Sequence, residues 1–272
     1  MEWKNLYRGA MMGITELIPG VSSGTIAILL GIYDQLISAI NGLFSKEWKK
    51  HVAFLLPLGI GMLIALFSLS RLMKWLLENH FEPTQFFFLG LIVGILPLLF
   101  RRAKVKTTFN IGHFLLIAMS AIGVASMRFF ADSGEKVIIE TLTMNNGFVL
   151  FASGWLASMA MLLPGISGSF VLLILGSYYT AIGALSDFNI PIIAVIGSGV
   201  IIGFIVCSRL IKFLLNNFPY MTYAIIIGLV LGSTVVVYPG ISSSIVIFPC
   251  VITFIAGAVT AVLLGAKDNA DI

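Results

Sequence analysis

Met12-Gly13-Ile14-Thr15-Glu16-Leu17-Ile18-Pro19-Gly20-Val21-Ser22-Ser23-Gly24-Thr25 places a carboxylate, a Pro-Gly pair and a group of small hydroxyl residues inside an apolar run. A second stretch, Met161-Leu162-Leu163-Pro164-Gly165-Ile166-Ser167-Gly168-Ser169, repeats the order of apolar helix, Pro-Gly, serines and apolar helix. Proline lacks the amide proton a helix needs, and glycine admits backbone angles other residues avoid, so each stretch reads as a helix that stops and restarts. In a bilayer such a break is tolerated only where it is buried in protein or lines a cavity. The pair is therefore the candidate working site.

Composition sets the class. Hydrophobic residues make up 59% of the 272-residue chain and charged residues 10%, too little polar surface to cover a soluble globule. The chain reads as an all-α polytopic membrane protein. Its net charge of +4 comes from short basic clusters between apolar runs, the pattern of cytoplasmic loops and not of a nucleic-acid surface. The N-terminal segment runs straight into the first broken element, and no removed signal peptide is read there. Cys207 and Cys250 lie in apolar runs, as small packing residues. His51, His80 and His113 are too scattered for a metal site, and nothing calls for a cofactor.

Apolar stretches fall at about 9–18, 24–40, 52–77, 84–100, 111–128, 147–163, 168–186, 190–208, 222–238 and 245–264. At about 1.5 Å per residue the first reaches roughly 15 Å, half of a hydrocarbon core of roughly 30 Å. Residues 9–40 are thus expected to form a re-entrant hairpin. Lys4 and Arg8 before it, and Lys46, Lys49 and Lys50 after it, put both its ends on the cytoplasmic side. Crossings at 52–77, 84–100 and 111–128 then bring Arg101, Arg102, Lys104 and Lys106 inside and the acidic loop of Asp132, Glu135 and Glu140 outside. A second hairpin at 147–186 begins and ends outside. The remaining helices return Arg209, Lys212 and finally Lys267 to the cytoplasm, so both termini are placed there. The arms of the second hairpin are nearly long enough to span, and two ordinary helices joined at Pro164-Gly165 give the same sidedness.

The halves repeat. Leu17–Tyr33 aligns without a gap with Leu162–Tyr178, matching Pro19 with Pro164, Ser22 with Ser167 and Gly31 with Gly176. Arg71–Asn79 aligns with Arg209–Asn217, and Gly90–Gly94 with Gly228–Gly232, in a second shared register. The reading is one transmembrane domain, with a first repeat at about 1–110, a linking helix at 111–128, a second repeat at about 147–240 and a final helix at 245–264. An odd number of crossings between the hairpins inverts the second repeat. Inverted repeats with discontinuous helices are an architecture in which secondary transporters hold substrate near the midplane.

The chemistry follows from the breaks. A helix restarting after Pro-Gly presents unpaired amides at its positive end, a ready site for an anion. Gly20, Ser22, Ser23, Gly24 and Thr25 surround the first restart, and Gly165, Ser167, Gly168 and Ser169 the second. The alternative is that Pro and Gly merely kink spanning helices while the serines bond backbone carbonyls. Glu16 is an acid within an apolar arm, and its repeat counterpart is Met161. It either exchanges a proton to couple transport or accepts bonds from the broken backbone as a cap. Arg71 and Arg209 occupy matched positions and either snorkel to the interface or turn inward to a phosphate. Lys74 and Lys212 are read as snorkelling. Tyr238-Pro239-Gly240-Ile241-Ser242-Ser243-Ser244 is read as an external turn.

The segments Glu16–Thr25 and Leu163–Ser169, with Gly31-Ile32-Tyr33 and Gly176-Ser177-Tyr178 after them, resemble the signature breaks of the bacterial and archaeal polyprenyl-phosphate transporter family. The resemblance extends over essentially the whole chain and departs at Ser23, where glycine is common in the family. It implies a flippase in the cytoplasmic membrane that returns undecaprenyl phosphate from the outer to the inner leaflet for envelope synthesis. The substrate is then a lipid partner, and a homo-oligomer is left open. The membrane undecaprenyl-diphosphate phosphatases carry similar breaks, with a second acid four residues before the first and an arginine between the serines. Here those positions hold Met12 and Gly168. Without them the charge of a transferring phosphoryl group lacks its stabilising groups, so binding without hydrolysis is expected. A carrier for a small soluble anion is the third reading.

Overall fold

A computed structural model of the chain describes residues 2–18, 20–43, 45–133, 139 and 142–268; Pro19, Glu135 and Glu140 lie outside that set. Regular structure among the described residues is entirely helical. The first half runs α1 (Lys4–Glu16), α2 (Ser23–Leu29), α3 (Tyr33–Gly42), α4 (Trp48–Asn79) and α5 (Phe81–Arg102). A short α6 (Val105–Thr108) leads to α7 (Ile111–Ser126), which tightens into a 3-10 turn over Met127–Ser133. The second half runs α8 (Met144–Leu162), α9 (Gly168–Ile174), α10 (Tyr178–Ser186), α11 (Ile190–Asn217), α12 (Pro219–Val237) and α13 (Ile247–Asp268). Among the described residues six helices are long and apolar enough to cross a membrane, and two further pairs, α2 with α3 and α9 with α10, qualify together but are bent by 120° and 113°. The chain is a multi-pass membrane protein.

Helix starts follow the local chemistry. Asn110 caps α7 by accepting the His113 amide while the His113 ring accepts the Asn110 amide, and Thr143 and Asn146 make the same reciprocal pair at α8. Asn189 caps α11 just ahead of Pro191, whose missing amide costs nothing there. Tyr238–Ser243 links α12 to a single 3-10 turn ahead of α13, the turn expected from its Pro-Gly. The stretches 24–40 and 168–186, expected as single arms, are each broken a second time. Gly31 and Gly176 both adopt φ +69°, a conformation that favours glycine, and each turns its arm sharply before a tyrosine. Each hairpin is therefore three helical pieces.

Packing is repeated as closely as sequence. α1 lies along α4, and α8 along α11. A methyl group on Gly9 or Gly61 would overlap the carbonyl of Leu58 or Leu6; one on Gly154 or Gly199 would overlap that of Ile196 or Phe151. These are the same contacts carried along the alignment registers of the two halves. The long helices then cross over: α5 pairs with α13, and α12 with α7. Gly90 and Gly94 face Phe254 and Ala258, just as Gly228 and Gly232 face Ile117 and Ala121. Small residues let these backbones approach, which in lipid replaces the hydrophobic effect as the source of association. α7 and α13 thus hold equivalent places.

The interior is built on the first hairpin. Every residue from Val21 to Leu30 is buried, against Ile95 and Leu99 of α5 and Ile227 and Val230 of α12 in one cluster. The outer faces of α4 and α13 instead expose Leu63, Ile64, Phe67, Ile255 and Val259, as a lipid-facing surface does. Gly61→Leu is expected to part α1 from α4 and destabilise the protein by about 1–3 kcal/mol, the usual cost of overpacking. Gly59→Ala, where nothing lies within 4 Å, should be neutral or slightly stabilising. Thermal unfolding in detergent measures both.

Candidate functional site

The two Pro-Gly breaks meet. α1 ends at Glu16 and the chain turns through Gly20 at φ +88°; α8 ends at Leu162 and turns through Gly165, also at φ +88°. Both turns rest on α12. A methyl group on Gly165 would meet the backbone of Leu229 and Val230, and one on Gly20 would approach Val236 and Val237. The α2 start then seats directly on the second break, where Gly24 faces the carbonyls of Met161 and Leu162.

Hydroxyls of the first hairpin satisfy backbone freed by the second. Ser22 donates to the Leu163 carbonyl at 3.1 Å and accepts the Gly24 amide at 3.2 Å, so one side chain caps α2 and closes α8. Tyr33 donates to the Leu162 carbonyl at 3.0 Å. Thr25 accepts the Gly165 amide at 2.9 Å. Glu16 reaches the hydroxyl and backbone amide of Ser23, placing a carboxylate at the positive end of α2. The four polar residues singled out at the first break, Ser22, Ser23, Thr25 and Glu16, are thus all engaged internally, and both Ser22 and Thr25 are 2% exposed.

The second restart is arranged differently. Ser167 occupies the cap position of α9 but its side chain takes no amide; it pairs with the Ser169 hydroxyl at 2.8 Å. The first-turn amides of α9 are left without a side-chain cap. Beside them Leu156, Met159 and Leu163 of the α8 side and Ile166, Val171 and Ile174 of the α9 side line an apolar cavity of about 360 Å³. Ile166 of that lining directly precedes Ser167, so the apolar recess adjoins the second restart along the chain.

Other candidates are not gathered here. Arg71 on α4 and Arg209 on α11 are exposed, and no ion pair or hydrogen bond involves either among the described residues. Lys74 pairs with Glu78 at 3.8 Å on an exposed face, as a snorkelling lysine does. Tyr33 is a site residue that the sequence does not announce: it is half of the repeated Tyr33–Tyr178 match, but only the Gly31 turn aims its hydroxyl at α8.

The family model described as undecaprenyl phosphate translocase-like, VCA0040-like, matches residues 12–249 and so takes in both breaks and every long helix but most of α13. The chain belongs to that family. A polyprenyl-phosphate transporter of Staphylococcus aureus (strain NCTC 8325 / PS 47) is 42% identical over 97% of this chain and 96% of its own length. A polyprenyl-phosphate transporter of Vibrio cholerae serotype O1 is 32% identical over 88% of this chain and 79% of its own length. An undecaprenyl-diphosphatase of Bacteroides fragilis is 24% identical over 62% of this chain and 61% of its own. No solved structure matches the chain.

The stitching between the breaks has a measurable weight. Thr25→Val keeps the side-chain shape but leaves the buried Gly165 amide without its acceptor, at an expected cost of about 1–3 kcal/mol. Thr25→Ser keeps the acceptor and should recover most of that loss in the same unfolding measurement.

Proposed function

We propose that this protein translocates polyprenyl phosphate across the cytoplasmic membrane, from the outer to the inner leaflet, returning the lipid carrier for envelope synthesis. The observation that carries the reading is the meeting of two duplicated helix breaks, one of them uncapped and bordered by an apolar recess, in a chain whose 42% identical relative is named a polyprenyl-phosphate transporter. The phosphate is held by Ser167, Ser169 and the neighbouring amides, with Gly165 and Gly168 allowing close approach. The polyprenyl tail lies along the apolar recess towards lipid. Gly20, Ser22, Ser23, Gly24 and Thr25 form the facing wall.

Glu16 is the coupling group in this scheme. Its carboxylate occupies the Ser23 amide and hydroxyl that an incoming phosphate would use. Protonation weakens that hold and frees the donors, so proton and phosphate uptake are linked. Arg71 and Arg209 draw the anion towards opposite faces. The two repeats are inverted across the bilayer, each giving its last helix, α7 or α13, to the other, and both termini are cytoplasmic.

Hydrolysis is not part of the scheme. Met12, where a phosphatase would carry its second acid, is buried in the core at 3% exposure. At Gly168 a methyl group would already lie 2.7 Å from the Ala157 carbonyl, which leaves no room for an arginine. Liposomes containing the purified protein should move polyprenyl phosphate between leaflets faster than empty ones, with no phosphate released. Ser167→Ala with Ser169→Ala should slow transfer by about tenfold or more, the loss of hydrogen bonds to a charged group. Glu16→Gln should remove the dependence on a pH gradient. Absence of transfer by the wild-type protein would overturn the transporter, and released phosphate would restore the enzyme.

A further inference from the structure

A second polar cavity lies apart from the breaks. It measures about 220 Å³ and is lined by Asp34 and Ser38 of α3, Lys212 and Asn216 of α11, and Tyr223 of α12, with two aliphatic side chains. Asp34 directly follows Tyr33, whose hydroxyl holds the Leu162 carbonyl, so the cavity adjoins the stitched breaks along the chain. It lies where α3, the C-terminal end of α5, the C-terminal part of α11 and the start of α12 come together, the ends that the charge pattern assigns to the cytoplasm.

Charge in this cavity is unevenly balanced. Arg102, at the end of α5, hydrogen-bonds Tyr223 and faces Asp34. A guanidinium only donates, so the Tyr223 hydroxyl is the acceptor and keeps its own proton to offer. Asp34 offsets Arg102. Lys212 is half-buried and has no ion pair among the described residues. Its counterpart in the first half shows what has changed. Lys74 is matched to Glu78 one turn on, whereas the position one turn after Lys212 is Asn216. Replacing the acid with an amide leaves the lysine uncompensated and adds a donor beside it. An unpaired ammonium, a phenol proton, an amide and the Ser38 hydroxyl converge on one recess, a donor set that fits a phosphate monoester and has one positive charge to spare.

We infer that this cavity is the cytoplasmic receiving site for the phosphate headgroup, with Lys212 as its principal cation. The assignment rests on the transport reading above. It differs from that reading in placing the inner-face contact at Lys212, with Asn216 and Tyr223, and not at the exposed Arg209.

The test uses the full chain with Cys207 and Cys250 replaced by alanine and Ser38→Cys added, in phosphatidylcholine liposomes. Labelling of that cysteine by an impermeant maleimide should slow about threefold or more when polyprenyl phosphate is present, and not with polyprenol, which lacks the phosphate. Lys212→Gln should abolish the protection and Lys212→Arg restore it. Protection that survives Lys212→Gln, or that polyprenol gives equally, overturns the site. Equal protection by inorganic phosphate alone overturns the lipid-headgroup assignment. In parallel, Lys212→Gln should slow leaflet transfer about tenfold and Lys74→Gln less than twofold; equal effects count against the site. Transfer without protection refutes the cavity alone. Protection without transfer refutes the transport reading and leaves the cavity standing.

Discussion

Lipid offers no hydrogen bonds, and the whole arrangement follows from that. Each Pro-Gly break frees carbonyls at the end of one helix and amides at the start of the next, and such groups must find a partner in the protein or line a cavity. Here the first hairpin supplies partners to the second: Ser22 and Tyr33 take the α8 carbonyls, and Thr25 takes the Gly165 amide. The service is one-sided. The α2 start is closed by Ser22 and Glu16, while the α9 start has two serines bonded to each other. A duplicated motif has thus become one half that caps the other and one half whose own restart has no side-chain cap.

The same solvent explains the use of glycine. Apolar side chains gain nothing by leaving lipid for one another, so helices must come together by close backbone approach. Gly9 and Gly61 do this for α1 and α4, and Gly90 and Gly94 for α5 and α13. Each pair recurs in the other half at its aligned position. What the two halves share is therefore a set of contact surfaces as much as a sequence pattern. The differences between them, Glu16 against Met161 and Asn216 against Glu78, fall on charged or polar positions where function can diverge without disturbing those surfaces.

Much of this was legible in the residues. Pro19-Gly20 and Pro164-Gly165 announced the breaks, the long apolar runs announced the spanning helices, and the collinear matches revealed the duplication. The second turn in each hairpin is not legible there, although Gly31 and Gly176 align, because an apolar run gives no sign of a glycine in a left-handed conformation. The partners of Ser22 and Thr25 lie in the other half of the chain, and no local pattern reports a contact across that distance. Arg71 and Arg209 stand out through their matched positions, yet Lys212, one turn beyond Arg209, occupies the more enclosed place. Exposure depends on which face of α11 meets α3, and that is set by packing and not by spacing.

The exchange of partners among the long helices bears on how the chain is made. α5 is inserted early, but the surface of Gly90 and Gly94 matches α13, a helix synthesised long after it. Until then that face has only lipid or transient neighbours. α12 finds α7 already waiting. The two halves are consequently interlaced, and neither has a finished core of its own: a chain stopped after α12 would carry the complete pair of breaks on a scaffold whose first half is still unclosed.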